Sequence, residues 1–196
     1  MSLKTRKGFI FVISGPSGSG KTTIAKRLLT QPRLKGRIIK PVSFTTRPKR
    51  PGEKQGKDYC FVSAREFDRL LKEKKILEHT RYLGYDYGTP RDSVERVINK
   101  GQHAVFCLDL SGAAFIKKAY PDRAITIFVK PPSLDVAKKR ILLRSNKTPP
   151  EEVYRRMRVA GEELRSAGSY DYCLVNDNLN KVIKEAKEIV RWAIYQ

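Results

Sequence analysis

Acidic residues are scarce in this chain: 20 Asp and Glu stand against 41 Lys and Arg, a formal net charge of +21. The imbalance argues against cationic partners and for polyanionic ones, a description that nucleotides, nucleic acid and an acidic membrane surface all satisfy. Cysteine is also sparse. Cys60, Cys107 and Cys173 are odd in number and far apart, and neither they nor His79 and His103 form a Cys-x-x-Cys pair or a Cys/His cluster. That excludes a disulfide framework and a zinc site of ordinary ligand spacing, and leaves three reduced thiols, mostly in strands. No apolar run approaches the ~18 residues needed to span a bilayer. The basic start is followed only by the short run Phe9–Ile13 before Gly15-Pro16, which is not a secretory signal, so the expected location is the cytoplasm. No RRM, KH or zinc pattern accompanies the charge, so no specific nucleic-acid partner and no membrane partner is expected.

The 196 residues are 40% apolar and 9% aromatic, enough for one buried domain with lobes inserted into it. Strand and helix patterns alternate, the signature of a mostly parallel α/β sheet. Phe9–Ser14 reads as a buried strand, Thr22–Leu29 as a helix and Ile38–Ser43 as a second strand. From Phe44 to about Asn99 the texture changes. A loop rich in Arg, Pro and Gly precedes an extended run at Tyr59–Val62, a capping-box helix from Ser63 to about Glu73, and a hairpin of Ile76–Tyr82 with Tyr85–Tyr87. The α/β rhythm returns with strands His103–Leu108 and Ala124–Val129, with Ala113–Ala119 between them. Helices Leu134–Arg144 and Glu151–Leu164 follow, then a strand Tyr172–Val175. The apolar stripe Val182, Ala186, Ile189 and Ala193 marks a final helix.

Gly15-Pro16-Ser17-Gly18-Ser19-Gly20-Lys21-Thr22 matches the pattern G-x-x-x-x-G-K-[ST] in full, between an apolar strand and a helix. Such a loop turns its N–H groups inward as an anion nest, and the following helix adds the positive end of its dipole. Lys21 is then expected at the β- and γ-phosphates and the Thr22 hydroxyl at Mg²⁺, with Thr23 beside it. The motif implies a nucleoside triphosphate and says nothing of the acceptor.

Downstream, the run from Ser43 through Arg47-Pro48-Lys49-Arg50 to Asp58-Tyr59-Cys60-Phe61 resembles the acceptor-binding signature of guanylate kinases. The resemblance continues at Ile76–His79, Tyr85–Thr89, Tyr170–Tyr172 and Val175–Asp177, and so covers almost the whole chain. It implies a three-layer P-loop kinase sandwich: a core of residues 1–42, 100–132 and 165–196, an inserted mixed α+β acceptor lobe at 43–99, and a helical lid with its flanking helices at 133–164. It implies that Arg47, Arg50, Tyr59 and Tyr87 grip a monophosphate, as guanidinium forks and phenolic hydroxyls can. Glu78 would accept the N1–H and N2–H donors of guanine, with Ser43 and Thr89 as further base contacts. Adenine has neither donor on that edge and would leave Glu78 unpaired. Where the family carries Asp-x-Asp, this chain has Cys107-Leu108-Asp109. The remaining acid, Asp109, is expected near the acceptor or the Mg²⁺, with a buried structural aspartate as the alternative.

Between residues 138 and 158 stand eight basic residues against two acids. The resemblance places lid arginines here, Arg156 and Arg144, reaching the transferring phosphoryl group, and an adenine-side contact at Asn176. The implied reaction moves the γ-phosphoryl group of MgATP onto GMP, with dGMP as a second acceptor. Another P-loop kinase, such as one using a ribose bisphosphate, and a non-catalytic binding domain are the alternatives. Monomer and homo-oligomer are equally open.

Overall fold

The computed structural model describes residues 8–144 and 149–195. A five-stranded parallel sheet forms the centre, built from β1 (Ile10–Ser14), β2 (Ile38–Ile39), β7 (His103–Cys107), β8 (Ala124–Lys130) and β9 (Tyr172–Val175) in the order β2-β7-β1-β8-β9. All five residues of β1 are buried, as befits a central strand covered on both faces. Successive side chains alternate between the layers. Phe11 and Ile13 pack with Ile24 and Leu28 of α1 (Lys21–Leu29) and with Val182, Ala186 and Val190 of α7 (Leu179–Tyr195). Ile10 and Val12 pack with Val94, Val97 and Ile98 of α3 (Arg91–Asn99) and with Ala113 and Ile116 of α4 (Leu110–Ala119).

A second, mixed sheet holds β3 (Phe44–Thr45), β4 (Cys60–Phe61), β5 (Ile76–Tyr82) and β6 (Tyr85–Pro90) in the order β4-β3-β6-β5. Its own small core is Phe67 and Leu70 of α2 (Ala64–Lys72) against Ile76. The expected cap is present: Ser63 accepts a hydrogen bond from the Glu66 amide at 3.2 Å. The Glu66 carboxylate turns to Arg69 instead of closing the box. The hairpin turns through Leu83, held at φ 51°, and Gly84.

Three sequence expectations shift. The strand expected over Ile38–Ser43 is two short strands in two sheets, β2 and β3, because Pro41 offers no N–H to a ladder and the chain crosses there from one sheet to the other. The helix before Ala119 begins at Leu110, since the Asp109 side chain caps it. And α3, drawn into the acceptor lobe from sequence, packs its apolar stripe on the central sheet. The helices α5 (Leu134–Arg144) and α6 (Pro150–Arg165) lean on each other, and a 3₁₀ turn (Ser166–Ser169) leads back to β9.

Candidate active site

The phosphate loop follows β1 at the carboxyl edge of the central sheet, the position where open α/β sheets bind ligands. Gly20 caps α1 at φ 97°, and a Cβ there would stand 2.3 Å from the Asn176 amide nitrogen. No side chain caps this helix and its first turn carries no acid, so its leading N–H groups face an incoming anion. Lys21 donates to the loop's own carbonyls, Gly15 at 2.7 Å and Pro16 at 3.2 Å. The hydroxyl-bearing Thr22 and Thr23 are exposed on the first turn.

Gly15, Ser17, Lys21 and Thr22 line a cavity of about 610 Å³ whose other walls are the acceptor residues expected from sequence: Ser43, Arg47, Arg50, Tyr59, Glu78, Tyr87, Thr89 and Asp109. Arg156 closes the same cavity from α6. Its Nη1 donates to Ser17 Oγ at 3.2 Å, while Nε donates to Glu152 one turn back at 2.9 Å and Nη2 bonds the same carboxylate. The side chain of Arg144 lies outside the described residues.

Glu78 is the most anomalous group in this cavity. It is only 4% exposed, and one oxygen accepts from Thr89 Oγ1 at 3.0 Å while Oε1 has no partner. Gly112 leaves room for it, since a Cβ there would come within 2.6 Å of Oε1. Burial pushes the carboxyl from its ordinary 4.5 up to about 7, the Asp109 charge adding to the rise and the Thr89 bond opposing it. An unpaired buried acceptor is costly unless a ligand supplies its donors.

At the other end of the cavity, Arg47 is 6% exposed and gives both Glu53 oxygens a hydrogen bond, at 2.8 and 3.0 Å. Burial works against its charge, yet the bond to Glu53 and the nearby Tyr87 and Glu53 charges together outweigh this and raise the guanidinium. Glu53 also accepts from the Arg50 amide at 2.9 Å, so one carboxylate shapes the whole arginine loop. Tyr59 lies edge-on to Tyr87 at 6.0 Å, and burial pushes its phenol up to about 12. Tyr59 is therefore a neutral donor for an anion.

A sequence model of the family described as guanylate kinase matches residues 7–193, nearly the whole chain. The chain belongs to the guanylate kinase family. It is 39% identical over 183 residues to a guanylate kinase of Thermus thermophilus, covering 93% of this chain and 79% of the relative. It is 41% identical over 185 residues to one of Symbiobacterium thermophilum, covering 94% and 85%. A crystal structure of guanylate kinase from Anaplasma phagocytophilum matches all of this chain and 90% of its own, with a TM-score of 0.81 at 31% identity.

On this guanylate kinase scaffold two of the residues named from sequence also make structural bonds. Asn176 is 2% exposed and its amide donates to the Ser19 carbonyl at 2.7 Å, so it braces the phosphate loop from behind and does not line the cavity. Asp109 lines the cavity and holds two structural bonds as well: Oδ1 caps α4 through the Gly112 amide at 2.9 Å, and Oδ2 accepts from Thr80 at 2.6 Å. An Asp directly before an apolar helical run was the available signal for that cap.

Two further residues had no sequence signal of their own. Arg140 of α5 reaches the Gly18 carbonyl at 3.4 Å and the Asn176 carbonyl at 3.1 Å, joining loop, strand end and helix. Glu163 of α6 is 5% exposed on the cavity wall, and its Oε2 has no partner. Burial raises its carboxyl, with Lys21 pulling the other way.

Proposed function

We propose that this guanylate kinase transfers the γ-phosphoryl group of ATP to GMP, and to dGMP, in the single cavity that joins the phosphate loop to the acceptor residues. The observation that carries the reading is Glu78: a buried carboxylate with an orphaned oxygen, in the same cavity as Lys21. Guanine brings two adjacent N–H donors to such an acceptor, whereas adenine brings none on that edge and would leave the carboxylate desolvated and unpaired. Arg47, Arg50, Tyr59 and Tyr87 would grip the monophosphate, with Ser43 and Thr89 supporting the base.

A nucleoside monophosphate with a second pKa of about 6 is largely dianionic at neutral pH, so its own oxygen attacks the γ-phosphorus and no general base is needed. The work left to the chain is positioning and charge. The backbone N–H groups of the Gly15–Gly20 loop, Pro16 excepted, cradle the donor's phosphates, and Lys21 exchanges loop carbonyls for phosphate oxygens. Arg156, already against Ser17, extends toward the transferring group. Residues 43–99 act as the acceptor lobe, joined to the central sheet through its last helix α3, with 133–164 as the lid and the remainder as the donor-binding core. Lid closure excludes water and limits ATP hydrolysis.

Magnesium fits these residues. The Thr22 hydroxyl is carried on the exposed first turn of α1, beside the cavity that Thr22 lines. Mg²⁺ takes most of its ligands from water and substrate phosphates, so one hydroxyl suffices where the described residues offer no group of three His, Cys, Asp or Glu. Bound there, it would neutralise charge on the donor's phosphates.

Among the described residues no helix is long and apolar enough to cross a membrane. The test is a coupled assay of ADP formation with GMP, dGMP, AMP, UMP and a ribose bisphosphate offered in turn. GMP and dGMP are expected to be used, and AMP at least about 10³-fold less well. Consumption of another acceptor with GMP untouched rejects the reading.

A further inference from the structure

We infer that Lys40 is a further acceptor-binding residue, an ammonium that joins Arg50 and the paired Arg47 around the acceptor's monophosphate. The inference rests on the GMP reading of the cavity and adds to it a residue that supplies charge at its phosphate end.

Lys40 directly follows β2, where the chain leaves the central sheet for the acceptor sheet. It lines the same cavity as Arg47, Arg50 and Tyr59. Its Nζ stands 5.4 Å from the centre of the Tyr59 ring, and the Arg47 guanidinium carbon stands 5.5 Å from the same centre. Two cations therefore converge on a phenol at the phosphate end of the cavity.

What neutralises them differs. Arg47 is doubly bonded to Glu53, so much of its charge is already answered by a carboxylate. Lys40 makes a long contact, 3.4 Å, to the Asp58 carbonyl, and among the described residues no carboxylate pairs with it. The Asp58 carboxylate itself is turned to the Lys54 amide at 2.9 Å. An ammonium has three donors, so at least two of them remain for a ligand.

The neighbouring strand explains why this charge stays unanswered. Cys107 ends β7, the strand paired with β2, and its thiol lies within the field of both Lys21 and Lys40. Burial pushes that thiol up, so at neutral pH it carries no charge to set against them. This is the position where the family resemblance leads one to expect an aspartate. With a neutral side chain there, and with Glu53 turned to Arg47, the Lys40 ammonium keeps its charge for a dianionic phosphate. Cations that converge in this way repel one another until an anion fills the space between them.

The measurement is calorimetric binding of GMP and of guanosine to the wild-type protein and to Lys40→Met, with Lys40→Arg as the conservative variant. Lys40→Met is expected to bind GMP about 10- to 100-fold more weakly, the size of one charge-assisted contact, and guanosine as well as wild type does. Lys40→Arg should recover most of the loss. In turnover the change should fall on the KM for GMP and far less on kcat or on the KM for ATP. Equal weakening toward guanosine and GMP would mean that Lys40 only holds the pocket's shape, and unchanged GMP affinity would remove its role; either overturns the inference while the GMP reading stands. A wild-type protein that binds guanosine and GMP no better than AMP defeats the reading and the inference together.

Discussion

Glu78 shows how one buried atom can be a liability to the fold and an asset to the site. Its ionised form is disfavoured by burial, with the carboxyl raised from 4.5 to about 7. A carboxyl raised on folding carries no penalty below its unfolded value. The fold loses stability as pH climbs from about 4.5 through about 7, by up to about 3 kcal/mol once ionisation is complete. Glu78→Gln should therefore raise the melting temperature at pH about 8 and change it little at pH about 5. The same variant should use GMP at least about 100-fold less well, with ATP binding intact. In the wild type, the KM for GMP should fall as pH rises through about 7, because only the carboxylate accepts both guanine donors. A melting gain equal at both pH values would show that Glu78 is not the group whose ionisation is penalised. At this scale the sequence was legible in placement: Arg47, Tyr59 and Glu78, named from the family resemblance, line one cavity. It was silent on Glu163, which α6 places on the cavity wall with its Oε2 orphaned.

Among the elements, the phosphate loop is held from outside itself. Its conformation is local, yet its position depends on Asn176 after β9 bonding Ser19 and on Arg140 of α5 bonding Gly18. Removing the Asn176 amide leaves the buried Ser19 carbonyl without that donor, a loss of about 1–3 kcal/mol. Asn176→Ala is expected to weaken ATP binding about tenfold, leave GMP binding within about twofold, and speed amide exchange across residues 15–20. Equal losses for both nucleotides would place its role in the global fold instead. The helices and strands read from periodicity mostly stand where the pattern put them. The misplaced ones, β2 with β3 and the start of α4, turned on single residues, Pro41 and Asp109, that decide where a ladder stops or a helix begins.

For the molecule as a whole the governing quantity is charge. A net +21 on 196 residues draws anionic nucleotides toward the cleft and draws any other polyanion with them. Raising salt from about 50 to about 300 mM should lower kcat/KM for both substrates severalfold and leave kcat nearly constant, since screening acts on encounter and not on the closed site. Any binding to single-stranded RNA should vanish over the same range. A kcat that falls in step with kcat/KM would locate the salt effect in the chemical step. The sequence by itself determined the phosphate loop, because that site is made by consecutive backbone N–H groups at one strand–helix junction, and through its family resemblance it named residues that line the rest of the cavity. Only the tertiary structure decided which side chains face those groups. Lys40 beside Tyr59, Arg140 behind Gly18 and Asn176 under Gly20 are separated from their partners by 19, 122 and 156 positions. Such pairs meet through sheet order and helix packing, which depend on burial across the whole chain and leave no trace in any short stretch of it.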